Sequence, residues 1–352
     1  MYNMSLNILI DPLANLFGWM ARILYSYFGS YGLAIIALTV LIRVVMFPLV
    51  LSSQKSMLKT QAMSQELADL QRRCGDDKER YNREAMELQQ KYGVGAGLGG
   101  CLLSFLQILV LWPIYRIVSR PLYYISSVTT DSIKAMAEQA GLQANLITSN
   151  NISLIHKLTS DSNLLSTCIE KGYIKMSQLI NFDFFGMDLT LTPSINPSKI
   201  LGEPSSYLPM LLIPVLVVIS QILAMQLTNW LKPGYKEEKL AKQRAKKNSA
   251  MPNEVNPAEQ YMKMMTYGFP LIMLATTFTL PAAFGIYWVV NGVLGIIQQF
   301  LVYYLFSKPY ELKKQELAIK KANAFKKNTS ETKEGASDSS KSKKKKKTTD
   351  NI

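Results

Sequence analysis

The chain has 352 residues, 39 Lys or Arg against 25 Asp or Glu, and a net charge of +14. Its apolar residues collect in long blocks that a soluble core would not need, so the composition points to a membrane protein. A single histidine, His156, three widely separated cysteines (Cys74, Cys101 and Cys168) and the lack of a Gly-rich loop ending in GK[ST] argue against a metal site, a disulfide framework and nucleotide hydrolysis. No catalytic set, cofactor or metal is expected.

Residues 1–30 open the chain without the basic region of a signal peptide, and the N-terminus is expected to stay. Asp11, Asn15, Gly18, Arg22 and Ser26 form a polar line opposite Leu13, Phe17, Met20, Leu24 and Tyr27. That spacing predicts an amphipathic helix lying in the membrane interface, a sixth and slightly polar span being the alternative. Spans are then read at 31–51, 97–118 and 208–230, with two more in 264–306, because about 20 apolar residues cross a core of about 30 Å. Met264 to Ser307 carries no charge, and one helix of that length would reach about 65 Å, so the segment is expected to cross twice and turn near Pro281. The fold class is therefore all-α, a polytopic protein with five transmembrane helices.

The connections differ in character. Residues 52–96 hold eight basic and seven acidic residues, with Met63, Leu67 and Leu70 before a CGDD turn and Tyr81, Ala85, Leu88 and Tyr92 after it. This predicts a solvated helical hairpin. The run GVGAGLGG at 93–100 follows it and reads as a flexible entry to the next span rather than a nucleotide cradle. Segment 119–207 is rich in Ser, Thr and Asn, includes a helix near Asp131 to Leu142, and is long enough to pack as a small cap. The loop 231–263 holds eight basic residues, and 307–352 holds fourteen in a tail disordered by composition. By the positive-inside rule, 52–96, 231–263 and 307–352 are cytoplasmic, which puts the N-terminus outside and the C-terminus in the cytoplasm. Arg116 and Arg120, at the outer end of the second span, run against that majority.

LTVLIRVVMFPL, residues 38–49, raises the chemical question, because Arg43 sits in an apolar run with no acid. A guanidinium stays charged in a protein, and at a helix centre it costs about 2.5–3.5 kcal/mol. Two readings remain open. Arg43 snorkels to the headgroups beyond Leu51, or it faces a wet cavity with polar residues of other spans: Gln107, Gln221, Gln226, Asn291, Gln298 and Gln299. An unpaired positive charge in such a cavity offers a counter-charge to an anionic solute, an anionic lipid or an acidic segment of another polypeptide. Pro48 is expected to mark the passage from span to hairpin.

Several stretches resemble the YidC/Oxa/Alb family of membrane protein insertases: LTVLIRVVMFPL, LGGCLLSFLQ (98–107), SYLPMLL (206–212) and MKMMTYGFPLIMLATTFTLPAAFGIYWVVNGVLGIIQQ (262–299). The likeness covers all five spans in order. It departs from the family in the missing proline after GGCL, in the length of the external segment, and in lacking a large domain before the first span, which makes it similar to short Gram-positive forms. What the resemblance implies is a hydrophilic groove open to cytoplasm and lipid but closed on the outside, with Arg43, Gln221 and Trp288 lining it; Gln107, Asn291 and Gln298 are the further candidates. It also implies a hairpin, about Gln54 to Tyr92, that contacts clients early, with Lys59, Met63, Leu67, Tyr81 and Leu88 as contact candidates.

The function expected on this reading is insertion and folding of integral membrane proteins in the bacterial cell membrane, without covalent chemistry. Partners would be nascent membrane proteins, together with the ribosome, the Sec translocon, the signal recognition machinery and anionic lipids; no small-molecule substrate is expected. Lys343, Lys344, Lys345, Lys346 and Lys347 suit either ribosomal RNA or anionic lipid. A small-anion or lipid transporter that uses Arg43 as counter-ion is the alternative, although no internal repeat is visible.

Overall fold

The computed structural model describes residues 2–75, 77–92, 99–231, 267–313, 315–317, 319, 320 and 323. The entry segment 93–98, the basic loop from 232 to 263 and Lys343 to Lys347 lie outside the described residues, as does the side chain of Gln107. Contacts divide the chain into two compact units, Met1–Trp230 with Pro252–Gln299, and Leu231–Met251 with Phe300–Ile352. In the second, a π-helical turn at Tyr303–Ser307 carries Tyr304, whose ring centre lies 5.6 Å from Lys308 Nζ.

The first unit begins with α1 (Tyr2–Phe28), a helix that packs on α2 (Tyr31–Cys74) and α4 (Gly99–Ser119). Ala14, Gly18 and Ala21 form its inward stripe, and Gly18 is required there: a Cβ would stand 2.5 Å from Tyr124 Cδ1. Two members of the polar line reach protein, while Asn15 and Ser26 stay exposed. Asp11 pairs with Arg116 of α4, and Arg22 donates from Nη2 to the Tyr124 carbonyl at 3.0 Å. The outward edge is instead Leu16, Trp19, Ile23 and Tyr27, all exposed and apolar or aromatic.

Helix α2 runs without interruption through Pro48, so no break in the helix separates the apolar stretch from the first hairpin arm. Proline removes one i→i−4 hydrogen bond but leaves the flanking ladder intact. The consequence is a single rod of about 66 Å that joins the apolar stretch to the first hairpin arm. The second arm is α3 (Lys78–Tyr92). Gly75 makes the turn at φ +53, and Asp77 caps α3 by accepting from the Arg80 N–H at 3.0 Å. Leu70, Cys74 and Ala85 form a small buried core between the arms, with Leu67 and Tyr81 packed against it, and Tyr92 donates its hydroxyl to Glu66 at 2.6 Å.

Among the described residues, three helical stretches are long and apolar enough to cross a membrane: Tyr31–Gln54, Pro204–Trp230 and Ala282–Leu317. A shorter apolar stretch covers Leu109–Ser119 of α4.

Between α4 and the next long helix the chain builds a helical cap. Its elements are α5 (Pro121–Tyr124), α6 (Thr130–Gln139), α7 (Ala144–Ser149), α8 (Ile152–Ser160), α9 (Ser162–Glu170), a hairpin of β1 (Asp183–Phe184) and β2 (Met187–Asp188), α10 (Pro197–Gly202) and α11 (Pro204–Met210). Amphipathic spacing drives it: Ile133, Met136 and Ala137 of α6 and Leu154, Ile155 and Leu158 of α8 are buried in one core with Cys168, Ile174 and Phe182. Burial pushes the Cys168 thiol upward, with Lys171 opposing. Leu154→Ala, at a side chain with no exposed surface, is expected to cost about 2–5 kcal/mol, read as a lower melting temperature and faster proteolysis confined to the cap.

The remaining elements are α12 (Leu212–Trp230), α13 (Phe269–Thr277) and α14 (Ala282–Val302). Backbone hydrogen bonds stitch the cap to the ends of the long helices: Asn151 N–H to the Ser119 carbonyl at 2.8 Å, Tyr31 N–H to Asn181 at 3.1 Å and Ala282 N–H to Leu191 at 2.8 Å. Side chains reinforce the joint, since Asn151, fully buried, also accepts from the Leu122 N–H at 3.4 Å. The helix ends on this side are thereby covered by folded protein.

Candidate functional site

Arg43 lies near the middle of the apolar stretch Tyr31–Gln54, one turn after Thr39, which is buried and donates its hydroxyl back to the Ile35 carbonyl at 2.7 Å. The guanidinium is half-buried and reaches α14. Nε donates to Asn291 Oδ1 at 3.0 Å, Nη1 to Gln298 Oε1 at 3.1 Å, and Nη2 to the Asn291 carbonyl at 3.3 Å and again to Oδ1. Asn291 and Gln298 are seven residues apart and so share a face of the helix. The adjoining Val44 and Val45 point outward and are exposed.

Among the described residues, every partner of Arg43 is a neutral acceptor. These hydrogen bonds orient the fork, and no carboxylate among the described residues offsets its charge. Of the polar span residues singled out in the sequence, the structure brings Asn291 and Gln298 to Arg43.

Gln221 occupies a different place. It is buried on α12, and its Nε2 donates to the Trp288 carbonyl of α14 at 3.2 Å. The two helices approach closely here because the facing residues of α14 are glycines: a Cβ on Gly292 would lie 2.6 Å from Ser220 Oγ, and one on Gly285 would lie 2.1 Å from Ile213 Cγ2. In this structure Gln221 therefore ties helix to helix. Trp288 is also buried, its ring 5.4 Å from that of Tyr287, and its Nε1 has no partner among the described residues.

The structure thus brings Arg43, Asn291 and Gln298 into one cluster, and Gln221 with Trp288 into a second contact on the same helix α14. On the hairpin, Lys59 is exposed, Met63 and Leu88 are half-buried, and Leu67 and Tyr81 are committed to the hairpin's own core. A cleft of about 490 Å³ between the arms is lined by Glu66, Arg73, Arg83, Glu87, Leu88 and Lys91 among others. Thr39 and Ser220 were not among the sequence candidates. Ser220 adjoins Gln221 in sequence and faces Gly292, a pairing of small residues that could have flagged a close crossing.

Comparison with known proteins places this geometry in context. The family model described as 60Kd inner membrane protein matches residues 23–309. The chain is 41% identical over 100 residues to the membrane protein insertase YidC of Dechloromonas aromatica (strain RCB), covering 28% of this chain and 18% of that protein. It is 40% identical over 95 residues to the protein of the same name from Oleidesulfovibrio alaskensis, covering 27% and 18%, and 37% identical over 105 residues to that of Geobacter sp. (strain M21), covering 30% and 19%. These matches span under a fifth of each relative's length, whereas the family model runs through α2, the cap, α12 and α14. With its apolar helices and a family match over most of its length, the chain belongs to the 60Kd inner membrane protein family, the YidC/Oxa family.

Proposed function

We propose that the chain is a membrane protein insertase that lowers the barrier to moving hydrophilic client segments partway across the bilayer. The observation that carries this reading is the Arg43 cluster: a permanent positive charge in an apolar helix, held by neutral groups of α14. A fixed charge that no carboxylate among the described residues neutralises can attract the acidic flank of a client, and its bound amides replace part of the hydration lost on entry. The client's apolar segment would then pass along the exposed Val44 and Val45 side of α2 into lipid, driven by burial of its own apolar area. Gln107 and Trp288 are assigned to the groove wall on the same reading, and Gln221 to the contact that fixes that wall.

In this scheme five spans cross the membrane, α4 and the 264–280 segment joining the three long apolar helices, and α1 lies along the interface. The basic connections face the cytoplasm, the N-terminus is outside, and the cap closes the groove on the outer face. The stitching of the cap to Tyr31, Ser119 and Ala282 supports closure on that side. Clients are nascent membrane proteins, met first by the hairpin through Lys59, Met63 and Leu88. Lys343 to Lys347 dock on ribosomal RNA or anionic lipid, and the Sec translocon and signal recognition machinery deliver part of the traffic.

Purified protein reconstituted in liposomes tests the proposal. A single-span client with an acidic flank should become protease-protected in its presence. Protection no greater than in protein-free liposomes would reject it.

A further inference from the structure

Phe185 adopts a backbone conformation unusual for its residue type. It sits with Gly186 at the tip of the β1–β2 hairpin, whose register pairs Asp183 with Asp188 and Phe184 with Met187. Both tip residues have positive φ, +53 at Phe185 and +76 at Gly186. A two-residue turn of this kind normally takes Asn, Asp or Gly at its first position, and a bulky side chain in the left-handed region is a genuine outlier. Asp183 Oδ1 holds the turn by accepting from the Gly186 N–H at 2.9 Å. Apart from an edge contact with the Phe184 ring, whose centre lies 4.7 Å away, the Phe185 side chain meets little protein, being 86% exposed.

Its depth is fixed by its neighbour. Phe184 packs on Gly32, so tightly that a Cβ there would lie 2.4 Å from Phe184 Cδ2, and Gly32 is the second residue of the apolar stretch Tyr31–Gln54. The Tyr31 ring lies 4.5 Å from that of Phe182 and its N–H donates to Asn181, so the base of the hairpin is bound to the same first turn. Phe185 follows Phe184 directly, at most about 3.8 Å away along the backbone, and so stands at the level where the apolar helix begins. Tyr27 and Phe28, 83% and 41% exposed, end α1 just before that level.

Aromatic side chains at the first turn of a span are where the headgroup region meets the acyl chains. We propose that Phe185 is a membrane anchor: the hairpin tip inserts its ring, beside Tyr27 and Phe28, into the headgroup–acyl boundary of the leaflet at the Tyr31 end, and so fixes the cap against the bilayer. Lipid is the occupant because the tip is rooted on a residue of the apolar stretch itself, where a bilayer surrounds any exposed side chain. The inference requires only that Tyr31–Gln54 crosses a membrane, and it stands or falls apart from the insertase reading.

The test places a tryptophan at the tip. Phe185→Trp, reconstituted in nanodiscs and corrected for the parent's four tryptophans, is expected to add blue-shifted emission that is lost with phospholipids brominated near the top of the acyl chain and little affected by aqueous iodide. Added emission that iodide quenches and brominated lipid does not would overturn the anchor. Phe185→Asn suits the positive φ and keeps the fold testable without the ring. It should melt no lower than the parent in detergent, yet show faster amide exchange across 183–188 in nanodiscs; exchange equal to the parent's would contradict the proposal.

Discussion

Arg43→Glu is expected to abolish insertion of clients with acidic flanks while leaving the protein folded in the membrane. The substituted carboxylate can accept from the amide groups of Asn291 and Gln298 after those side chains rotate, so the helix contact keeps its hydrogen bonds. What changes is the sign of the field met by the client. Two unit charges about 4 Å apart at an effective dielectric near 20 interact by about 4 kcal/mol, so loss of the attraction alone corresponds to roughly a thousandfold in rate. Arg43→Lys should retain part of the activity, since it keeps the charge but not the planar fork that spans Asn291 and Gln298. The measurements are the protease-protected fraction of client in proteoliposomes and the melting temperature of the variant. Normal insertion of an acidic client by Arg43→Glu would remove the electrostatic role.

Gly285→Ala carries the second large effect. In an ordinary helix interior this change stabilises by about 1 kcal/mol, but here the added Cβ would meet Ile213 Cγ2 at 2.1 Å. Overpacking of this kind costs about 1–3 kcal/mol, and the neighbour is a β-branched side chain with little freedom to move. A net loss of stability is therefore expected in detergent, together with reduced insertion, because the Gln221 to Trp288 contact lies in the same helix pair. Ile213→Ala in the same chain should recover part of the loss by opening space. Additive losses in the double variant would show that the two residues do not press on each other.

How far the sequence could be read depended on whether a feature was local. An unbroken apolar run is visible in any window, and so is a charge inside it, which is why Arg43 drew attention. Its actual partners sit 248 and 255 residues further along the chain. Nothing in the spacing of α2 points to Asn291 and Gln298 over the other polar residues of the spans. Gln221 illustrates the reverse difficulty, since a glutamine in a span reads the same whether it lines a cavity or donates to a backbone carbonyl, and only the glycines opposite it distinguish the two.

The polar line of α1 was legible, but not which of its members meet protein. Periodicity identifies a face of a helix, not what covers it, and here Asp11 and Arg22 are turned toward Arg116 and Tyr124. Pro48 makes no break in its helix. Proline raises the cost of a helix by one hydrogen bond and a clash, yet α2 continues through it. In the cap, the amphipathic spacing is confined to helices as short as the 10 residues of α6 and the 9 of α8, and neither shows that their buried faces share one core with Cys168 and Phe182. The hairpin tip at Phe185 breaks the turn preference by which hairpins are recognised.

The central claim is that a client meets polar residues beside Arg43 on one side and lipid-facing residues of α2 on the other. Photoreactive phenylalanine analogues at positions 298 and 45, which leave the Arg43 to Asn291 bonds intact, can be crosslinked to a ribosome-stalled single-span client in native membranes. The expected result is a split, with position 298 capturing the hydrophilic flank and position 45 the apolar segment. Adducts with lipid alone at both positions would contradict it.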